Sequence, residues 1–299
     1  MTVTKHWLHI SSIFITCFVV MAAAVLEPDH VRAASNEANP MTFAIVRSSK
    51  LGCEPNCPQW IAAEGTITGA TAVQFEKKLE KLGNLRLPVV INSPGGDMHA
   101  AIEMGRMIRK RQLSTGVGIT RYEGCNPANK TCKLPKLQKG VYRGIARDES
   151  SFCFSACPLV LAGGIERIAG PSALLGVHQA RTTYYQEKIS YRETYRIVNG
   201  KKKLISRKIT GRKRIKYYEK IGLDKRLRGI LVPYLKQMGI SEELLVEMEM
   251  APPSSMNVPV LWKDARMGLI TSIFPLVAIT GNNNCSPPKN APNCVLLKP

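Results

Sequence analysis

The chain has 299 residues, of which 44% are hydrophobic, and it carries a formal net charge of +20 at pH 7. This length and apolar content allow one substantial core or two small ones and exclude a disordered chain. The excess of cations predicts attraction to anionic partners. It is concentrated in residues 181–228, which hold 17 Lys/Arg against 4 Asp/Glu.

The first predicted element is a secretory signal peptide over residues 1–34. Lys5 and His6 precede the apolar run 10–26, and the small residues of the segment 31–35 follow soon after, which is the arrangement of a cleavable signal. An uncleaved membrane anchor is the alternative, since the run is at the short end for a spanning helix. We therefore expect an exported protein, periplasmic or secreted, with an N-terminally anchored protein as the alternative.

Eight cysteines remain once the signal segment, which contains Cys17, is set aside. An even number of cysteines in an exported chain predicts disulfides, and the spacings do not fit a standard zinc site, so we expect no metal. The sequence leaves the pairing open. The disulfide candidates are Cys53, Cys57, Cys125, Cys132, Cys153, Cys157, Cys285 and Cys294.

The first half of the remaining chain predicts alternating strands and helices. Short apolar runs at 43–46 and 60–63 predict two opening strands. Thr71 and Gln74 resemble a capping box at the start of an amphipathic helix that Gly83 ends. A buried strand at 87–91, a glycine turn and a second amphipathic helix follow. One face of this helix is formed by Met98, Ile102, Gly105 and Ile108. Strand, turn and helix in this order predict an α/β fold.

The second half contains an apolar segment at 152–161 and a strand at 174–177 that leads into His178. Asn199 and Gly200 lie between two β-prone runs, which is the strongest short signal for a hairpin. The remaining predicted elements are two helices at 231–238 and 241–250, the second with Ser241 as its N-cap, and a closing strand at 269–279.

Three features occur along the chain in the order that a serine hydrolase needs. Gly95 and Gly96 let the backbone approach a bound group and point N–H groups at it, as in an oxyanion hole. Ser155 stands where a helix is predicted to begin, and His178 ends a strand. A histidine in that position can take the serine proton and later give it to the leaving group. Each feature alone also suits a structural role: an ordinary turn, an N-cap and a core histidine.

Together these motifs resemble a known family. The segments are Ile91-Asn-Ser-Pro-Gly-Gly96, Ser155 with an apolar helix ending in Ala162-Gly163-Gly164, Gly176-Val-His178-Gln179 and Gly268-Leu-Ile270. They are similar to the proteolytic subunit of the Clp protease, in the crotonase-like superfamily, over residues 44–272 with an interruption after Gln179. The resemblance implies a ClpP/crotonase-like domain of repeated β-β-α units at 35–281. A basic β-hairpin is inserted at about 181–220, and a tail rich in Cys, Pro and Asn follows at 282–299.

The resemblance also implies a reaction, peptide hydrolysis through an acyl-enzyme without a cofactor. Ser155 would be the nucleophile and His178 the base, with the backbone N–H groups of Gly96 and Ala156 as the oxyanion hole. The substrate would be a peptide or protein. A Ser–Lys dyad, as in the signal peptide peptidase family, has no outstanding lysine here, and coenzyme A thioester chemistry is disfavoured by the Ser/His pair and by export.

The sequence departs from the family pattern in three places. The third triad member should fall within residues 252–257, where no acid exists, so Asn257 or the pair Ser254 and Ser255 is expected to orient His178. Cys153 and Cys157 flank Ser155. The basic hairpin replaces a helix that the family uses for ring assembly, so homo-oligomerisation stays open.

Two function classes follow from these residues. The first is an exported serine peptidase-like hydrolase. The second is a catalytically silent scaffold that binds anionic envelope surfaces, either membrane lipid or an acidic polymer, through residues 181–228. Nucleic acid would suit the mixture of tyrosines and cations in that stretch, but export disfavours it. A hairpin that only keeps the protein soluble is a further alternative.

Overall fold

A computed structural model describes residues 39–124, 126–127, 131–132, 140–286 and 291–296. The predicted signal peptide, which falls in the unit Met1–Glu37, and Cys125 lie outside the described residues. The unit Ala38–Pro299 is compact. Within the described part of the chain, no helix is both long enough and apolar enough to cross a membrane.

The described residues form thirteen strands and seven helices. The strands are β1 (Thr42–Ser48), β2 (Asn56–Glu64), β3 (Val89–Asn92), β4 (Thr115–Val117), β5 (Ile119–Tyr122), β6 (Val141–Arg147), β7 (Phe152–Phe154), β8 (Arg167–Ala169), β9 (Leu174–Gly176), β10 (Arg181–Val198), β11 (Lys201–Ile221), β12 (Ser272–Ile273) and β13 (Cys294–Leu296). The helices are α1 (Thr71–Leu82), α2 (Met98–Lys110), α3 (Cys157–Leu161), α4 (Lys225–Met238), α5 (Glu243–Glu249), α6 (Leu261–Arg266) and α7 (Val277–Thr280).

The centre of the fold is a mostly parallel sheet with the strand order β12-β8-β4-β3-β2-β1-β6-β5. Five neighbouring pairs are parallel, whereas β1/β2 and β5/β6 are antiparallel, and β13 adds to β2 in antiparallel register. The predicted α/β class is confirmed. The two opening strands, the strand at 87–91 and the first two helices lie where the sequence patterns place them.

The sheet is covered on both faces, which explains why its strands are apolar runs. In β2, seven of nine residues are buried, as is typical of strands with elements packed on each side. One face packs on α1 and α2 through Phe75 and Met104, and the other packs on the C-terminal segment through Trp60 and Leu276. This double burial makes the sheet a rigid support for the loops that leave its edge.

Two sequence-based expectations were wrong in detail. Thr71 is the first residue of α1 rather than its N-cap: the cap is Ala70, without a side-chain hydrogen bond, and the Thr71 hydroxyl accepts the N–H of Thr68. The expected closing strand at 269–279 is reduced to the two residues of β12. Pro275 follows β12, and a proline cannot donate to a sheet ladder, so the chain turns instead into α7.

A small parallel sheet of β7 and β9 lies beside the end of β3. Ser93, the residue after β3, forms a bridge with Cys153 in β7. The N–H of Ser93 donates to Phe152 O and the N–H of Phe154 donates to Ser93 O, both at 3.0 Å. Because Ser155 follows β7 and His178 follows β9, this small sheet brings the two candidate residues to the same end of the fold.

β10 and β11 form an antiparallel ribbon of 18 and 21 residues that pair from end to end. Asn199 and Gly200 make its turn with φ of 51° and 73°, the two positive values that a type I′ turn needs. The base of the ribbon is held by Tyr184, whose hydroxyl donates to Asp224 Oδ2 at 2.7 Å, and by Leu223, whose N–H donates to Glu249 Oε1 at 2.8 Å.

Candidate active site

Ser155 lies in a tight turn between β7 and α3. Its φ of 60° is uncommon for a residue with a side chain, and such strain is typically stored at functional sites. The backbone N–H of Ser155 donates to Gly176 O at 2.8 Å. Ser155 is partly exposed, whereas its neighbour Ala156 is 6% exposed. A strand, a strained serine and a helix in direct succession present the hydroxyl at the tip of a turn.

A disulfide closes this turn. Cys153 and Cys157 are bonded to each other, with a Cα–Cα distance of 5.2 Å, and both are fully buried. The bond therefore joins the middle residue of β7 to the first residue of α3, one on each side of Ser155. Two further pairs are formed, Cys53–Cys57 and Cys285–Cys294, and Cys132 is also disulfide-bonded. Seven of the eight candidate cysteines are thus disulfide-bonded in the described part of the chain.

His178 follows β9 and is partly buried. Its Nδ1 lies 2.7 Å from the carbonyl oxygen of Gln179. A carbonyl oxygen accepts only, so Nδ1 carries the hydrogen in this contact and Nε2 keeps a lone pair that can accept a proton. The Gln179 backbone is in turn fixed, because its N–H donates to Ala251 O at 2.8 Å and its side chain donates to Glu249 O at 3.0 Å.

Gly95 allows the glycine turn to approach the serine turn closely. A Cβ added to Gly95 would lie 2.5 Å from the Ser155 Cβ and 2.8 Å from the Ala156 backbone nitrogen, and the φ of Gly95 is +97°. Only glycine fits this position. The bridge between Ile67 and Gly96 consists of two hydrogen bonds: the Ile67 N–H donates to the Gly95 carbonyl, and the Asp97 N–H donates to the Ile67 carbonyl. The Gly96 N–H takes no part in this bridge.

Four of the five residues that the sequence singles out for catalysis or for the oxyanion hole line one cleft of about 370 Å³. They are Ser155, His178, Gly96 and Ala156. The other walls combine apolar side chains from four helices with polar side chains from the start of α2 and from the first residues of β10. These wall residues are Asp97, Met98, His99, Leu159, Ala180, Arg181, Thr182, Thr183, Leu227 and Met248. A volume of this size is within the range of small-ligand sites and suits one or two side chains of a peptide.

The Asn257 side chain points away from the role expected for it. Its amide nitrogen donates to Glu247 O and to Glu247 Oε2, each at 3.0 Å. The backbone of Asn257 instead pairs with Val177 in both directions, at 2.9 and 2.8 Å. Asn257 thus positions His178 through the main chain of the preceding residue. The ring nitrogen Nδ1 of His178 contacts a main-chain oxygen, not the Asn257 amide.

Behind Asn257 lies a buried cluster of charged side chains. Burial acts to raise the pKa of Glu247, but hydrogen bonds from Lys263 and Asn257 outweigh it and the pKa is lowered. Lys263 Nζ lies 2.5 Å from Glu247 Oε1. The neighbouring Asp264 is 1% exposed, and its Oδ2 has no hydrogen-bond partner within the described structure. Burial, with the Glu247 charge second, raises the pKa of Asp264 to about 7.

The comparisons with known proteins give structural neighbours only. No protein-family model matches the chain, and no curated protein sequence matches it. Similar solved structures include two variants of the 1510-N membrane-bound stomatin-specific protease, one of them in complex with a substrate peptide, both at a TM-score of 0.39. They are 13% and 14% identical to this chain, and each match covers 71% of it and, respectively, 76% and 72% of the other protein.

A third similar structure is an Asn-to-Asp variant of ClpP1 from Listeria monocytogenes. Its TM-score is 0.37 and its identity 12%, over 70% of this chain and 86% of the other. The structural neighbours are ClpP-like proteases.

Sequence reasoning missed two features of the site. The Gln179 carbonyl contacts His178, yet a backbone acceptor carries no signal in the sequence. The buried pair of Glu247 and Asp264 was also missed. Glu247 lies ten residues before Asn257, on the far side of a turn. The sequence pattern alone predicts that it is an exposed acid on the surface of α5.

Proposed function

We propose that this chain is an exported serine peptidase-like hydrolase with Ser155 as the nucleophile and His178 as the base. The observation that carries the proposal is that Ser155, at the tip of a strained strand-to-helix turn, lines one cleft with His178, Gly96 and Ala156. Serine, imidazole and backbone N–H groups in one cleft are the parts that acyl transfer requires.

The reaction would proceed in two stages. His178 Nε2 takes the Ser155 proton as Oγ attacks the substrate carbonyl carbon, and the N–H groups of Gly96 and Ala156 stabilise the oxyanion. His178 then gives this proton to the leaving amine, which departs as the acyl-enzyme forms. A water molecule, deprotonated by the same imidazole, hydrolyses the ester and restores Ser155. No cofactor takes part.

The hydrogen-bond partner of His178 Nδ1, the Gln179 carbonyl oxygen, bears on the expected rate of hydrolysis. The Gln179 carbonyl holds the ring in the tautomer that this mechanism needs, but it has no charge with which to stabilise the imidazolium. Asn257 acts one step further away, through its backbone pairing with Val177. We therefore expect a slower hydrolase than one with a Ser–His–Asp triad.

The cleft indicates the substrate class. Met98, Leu159, Leu227 and Met248 form its apolar walls, so an extended peptide with an apolar side chain next to the scissile bond suits it. An export compartment generally lacks ATP, so the substrate would be flexible or already unfolded. Homo-oligomerisation, as in the Clp family, is part of the same proposal, without a defined interface.

The domain arrangement belongs to this proposal as well. Residues 1–34 would be a signal peptide, 35–281 a ClpP/crotonase-like domain of repeated β-β-α units and 282–299 a tail, with the ribbon of β10 and β11 as an insertion. The disulfides Cys53–Cys57, Cys153–Cys157 and Cys285–Cys294 support export to the periplasm or beyond, because disulfides persist in oxidising compartments.

A second candidate function is a silent scaffold that binds anionic envelope surfaces. Two observations favour it: His178 Nδ1 contacts a neutral carbonyl where a triad has a carboxylate, and residues 181–221 hold 14 Lys/Arg against 3 Asp/Glu. The first function uses the cleft and the second uses the ribbon, so the two can be tested separately.

Labelling of the purified protein with a fluorophosphonate probe tests the hydrolase. We expect labelling of the parent and its loss in both Ser155→Ala and His178→Ala, while Ser151→Ala retains it, because the Ser151 hydroxyl is hydrogen-bonded to Asp148 O. Equal labelling of the Ser155→Ala variant would show that another residue reacts. No labelling of the parent, with disulfides intact, would favour the scaffold.

A further inference from the structure

The ribbon of β10 and β11 is an unusual element, because it stands almost entirely outside the core. Along both strands every side chain is exposed or partly exposed. An isolated two-stranded hairpin is at best marginally stable in water. A ribbon of this length and exposure, held only at its base, therefore indicates a surface that acquires a partner.

The pairing register separates the ribbon into two faces, because directly opposed residues share a face and successive residues alternate. One face, here the cationic face, contains the even-numbered residues of β10 with their partners in β11. It holds nine Lys/Arg and no acid. These residues are Lys188, Arg192, Arg196, Lys201, Lys203, Lys208, Lys213, Lys216 and Lys220.

The opposite face, here the aromatic face, has a different character. It holds nine large apolar or aromatic side chains: Tyr185, Ile189, Tyr191, Tyr195, Ile197, Leu204, Ile209, Tyr217 and Ile221. Several are well exposed, with Ile197 at 71% and Tyr217 at 70%. Exposed apolar side chains that recur along the whole length of one face mark an interaction site.

Charge on the aromatic face is largely cancelled. All three acids of the ribbon lie there, and each is paired with arginine: Glu187 with Arg212 and Arg214, Glu193 with Arg207, and Glu219 with Arg181. Arg207 and Arg214 also stack over the rings of Tyr191 and Tyr185, at 5.0 and 4.3 Å. The ribbon is thus amphipathic across its thickness: the cationic face has nine cations without an acid, whereas the aromatic face has five cations and three acids.

We propose that this ribbon lies in the interface of an anionic lipid bilayer. The aromatic face would contact the boundary between headgroups and acyl chains, where tyrosine is favoured. Apolar layers of stacked sheets are about 10 Å apart, and an interfacial element enters the boundary by about 5–10 Å. The cationic face would therefore stand at the level of the lipid phosphates, which its long side chains can reach by snorkelling.

Partners other than a bilayer would account for only one of the two faces of the ribbon. A soluble polyanion would engage the cationic face and leave the aromatic face in water. A second copy of the ribbon would cover the aromatic face, but two ribbons with 14 Lys/Arg against 3 Asp/Glu each would repel one another. A bilayer uses both faces at once, which is why we commit to it. This inference deepens the second candidate function by naming its partner, and it does not require Ser155 to react.

Membrane binding by the ribbon would also affect the cleft, because the base of the ribbon forms part of the cleft wall. Arg181, Thr182 and Thr183, the first residues of β10, line the cleft beside Ser155 and His178. A ribbon lying on a bilayer would hold this cleft within reach of chains emerging from the membrane surface. The substrates of the hydrolase would then be exposed segments of membrane-associated polypeptides.

Partition of the purified full chain onto vesicles tests the proposal. Vesicles of phosphatidylcholine with 30% phosphatidylglycerol are compared with phosphatidylcholine alone, at about 0.15 M and 1 M salt. All variants keep the same N-terminus, so any contribution of residues 1–38 is common to them. We expect the parent to bind the anionic vesicles at low salt and to bind them more weakly at high salt.

Three variants distinguish the two faces. Lys203→Glu/Lys208→Glu/Lys213→Glu should lower the partition constant by about 100-fold, since each cation near such a surface contributes about fivefold. Tyr191→Ser/Tyr195→Ser/Ile197→Ser should lower it at least about 10-fold through lost apolar burial. Lys77→Glu/Lys81→Glu/Lys110→Glu makes the same charge change at exposed helical positions and should bind within about threefold of the parent.

Three results would overturn the proposal. Equal losses in the helical and ribbon charge variants would show a nonspecific charge effect. Binding to polyphosphate or heparin with no partition onto anionic vesicles would assign the ribbon to a polymer and leave the scaffold function standing. A change of oligomeric state in the aromatic-face variant, with unchanged partition, would make that face a self-association surface. Labelling of Ser155 reports separately on the hydrolase in every variant.

Discussion

The backbone N–H of Ser155 donates to the carbonyl oxygen of Gly176 at 2.8 Å. This bond ties the serine turn to the last residue of β9, two positions before His178. Backbone pairing therefore sets the relative position of the main chains that carry Ser155 and His178. Substitutions that disturb this pairing should impair the proposed hydrolysis even where they do not touch a substrate.

The close approach of the glycine turn gives the first prediction. Gly95→Ala should reduce fluorophosphonate labelling at least about 100-fold, because the added Cβ would meet the Ala156 nitrogen that is proposed as an oxyanion donor. Gly83→Ala is the matched control, since Gly83 also has positive φ, +56°, but has nothing within 4 Å. Full labelling of the Gly95 variant would contradict the proposed oxyanion hole.

The disulfide around Ser155 gives the second prediction. Cys153→Ala/Cys157→Ala and Cys285→Ala/Cys294→Ala should each lose about 2–3 kcal/mol of unfolding free energy, measured with urea. Only the first pair should also lose labelling, because only that bond closes the serine turn. If both variants label like the parent, the disulfide stabilises the fold without shaping the site.

The orientation of Asn257 gives the third prediction. Asn257→Asp would supply the acid that the Clp family has, but it would place a second carboxylate against Glu247. We expect no gain in labelling and a loss of about 1–3 kcal/mol at pH 7, where both acids would be charged. Adding Glu247→Gln should recover most of that loss in a double-mutant cycle. A faster-labelling Asn257→Asp variant would show instead that the new carboxylate reaches His178.

The buried acid Asp264 gives the fourth prediction, on pH. Its pKa is raised to about 7 from 3.8, so the folded protein holds a proton that the unfolded chain releases at lower pH. The stability that this group contributes is full below about pH 4 and is lost as the pH rises through about 7. Asp264→Asn should therefore be more stable than the parent at pH 8, by about 2–4 kcal/mol, with little difference at pH 4.

Urea unfolding at pH 4, 6 and 8 measures this effect. Glu149→Gln removes an acid from an exposed position and should follow the profile of the parent. A parallel profile for Asp264→Asn would show that Asp264 is ionised in the folded state across this range.

The fold class, the first two strands and helices and the hairpin turn could be predicted from the sequence, because each depends on a local signal. Four of the residues that line the cleft also carry such a signal, and their catalytic roles stay predictions. Apolar periodicity marks α2, and Asn199 with Gly200 marks the turn. The short β12 was not predictable from its apolar run, since Pro275 and packing on Trp60 decide between strand and helix there. The direction of the Asn257 amide depends on Glu247, a tertiary neighbour that no pattern identifies.

The disulfide of Cys153 and Cys157 also bears on when the protein can act. In the reducing cytosol a newly made chain keeps its cysteines as thiols, so the serine turn there lacks the bond that closes it. The disulfide that closes the turn can form only once the chain reaches an oxidising compartment. For the exported peptidase that we propose, this order of events is a safeguard: the chain would mature only after it has left the proteins of the cytosol, and the cell would need no separate inhibitor during synthesis.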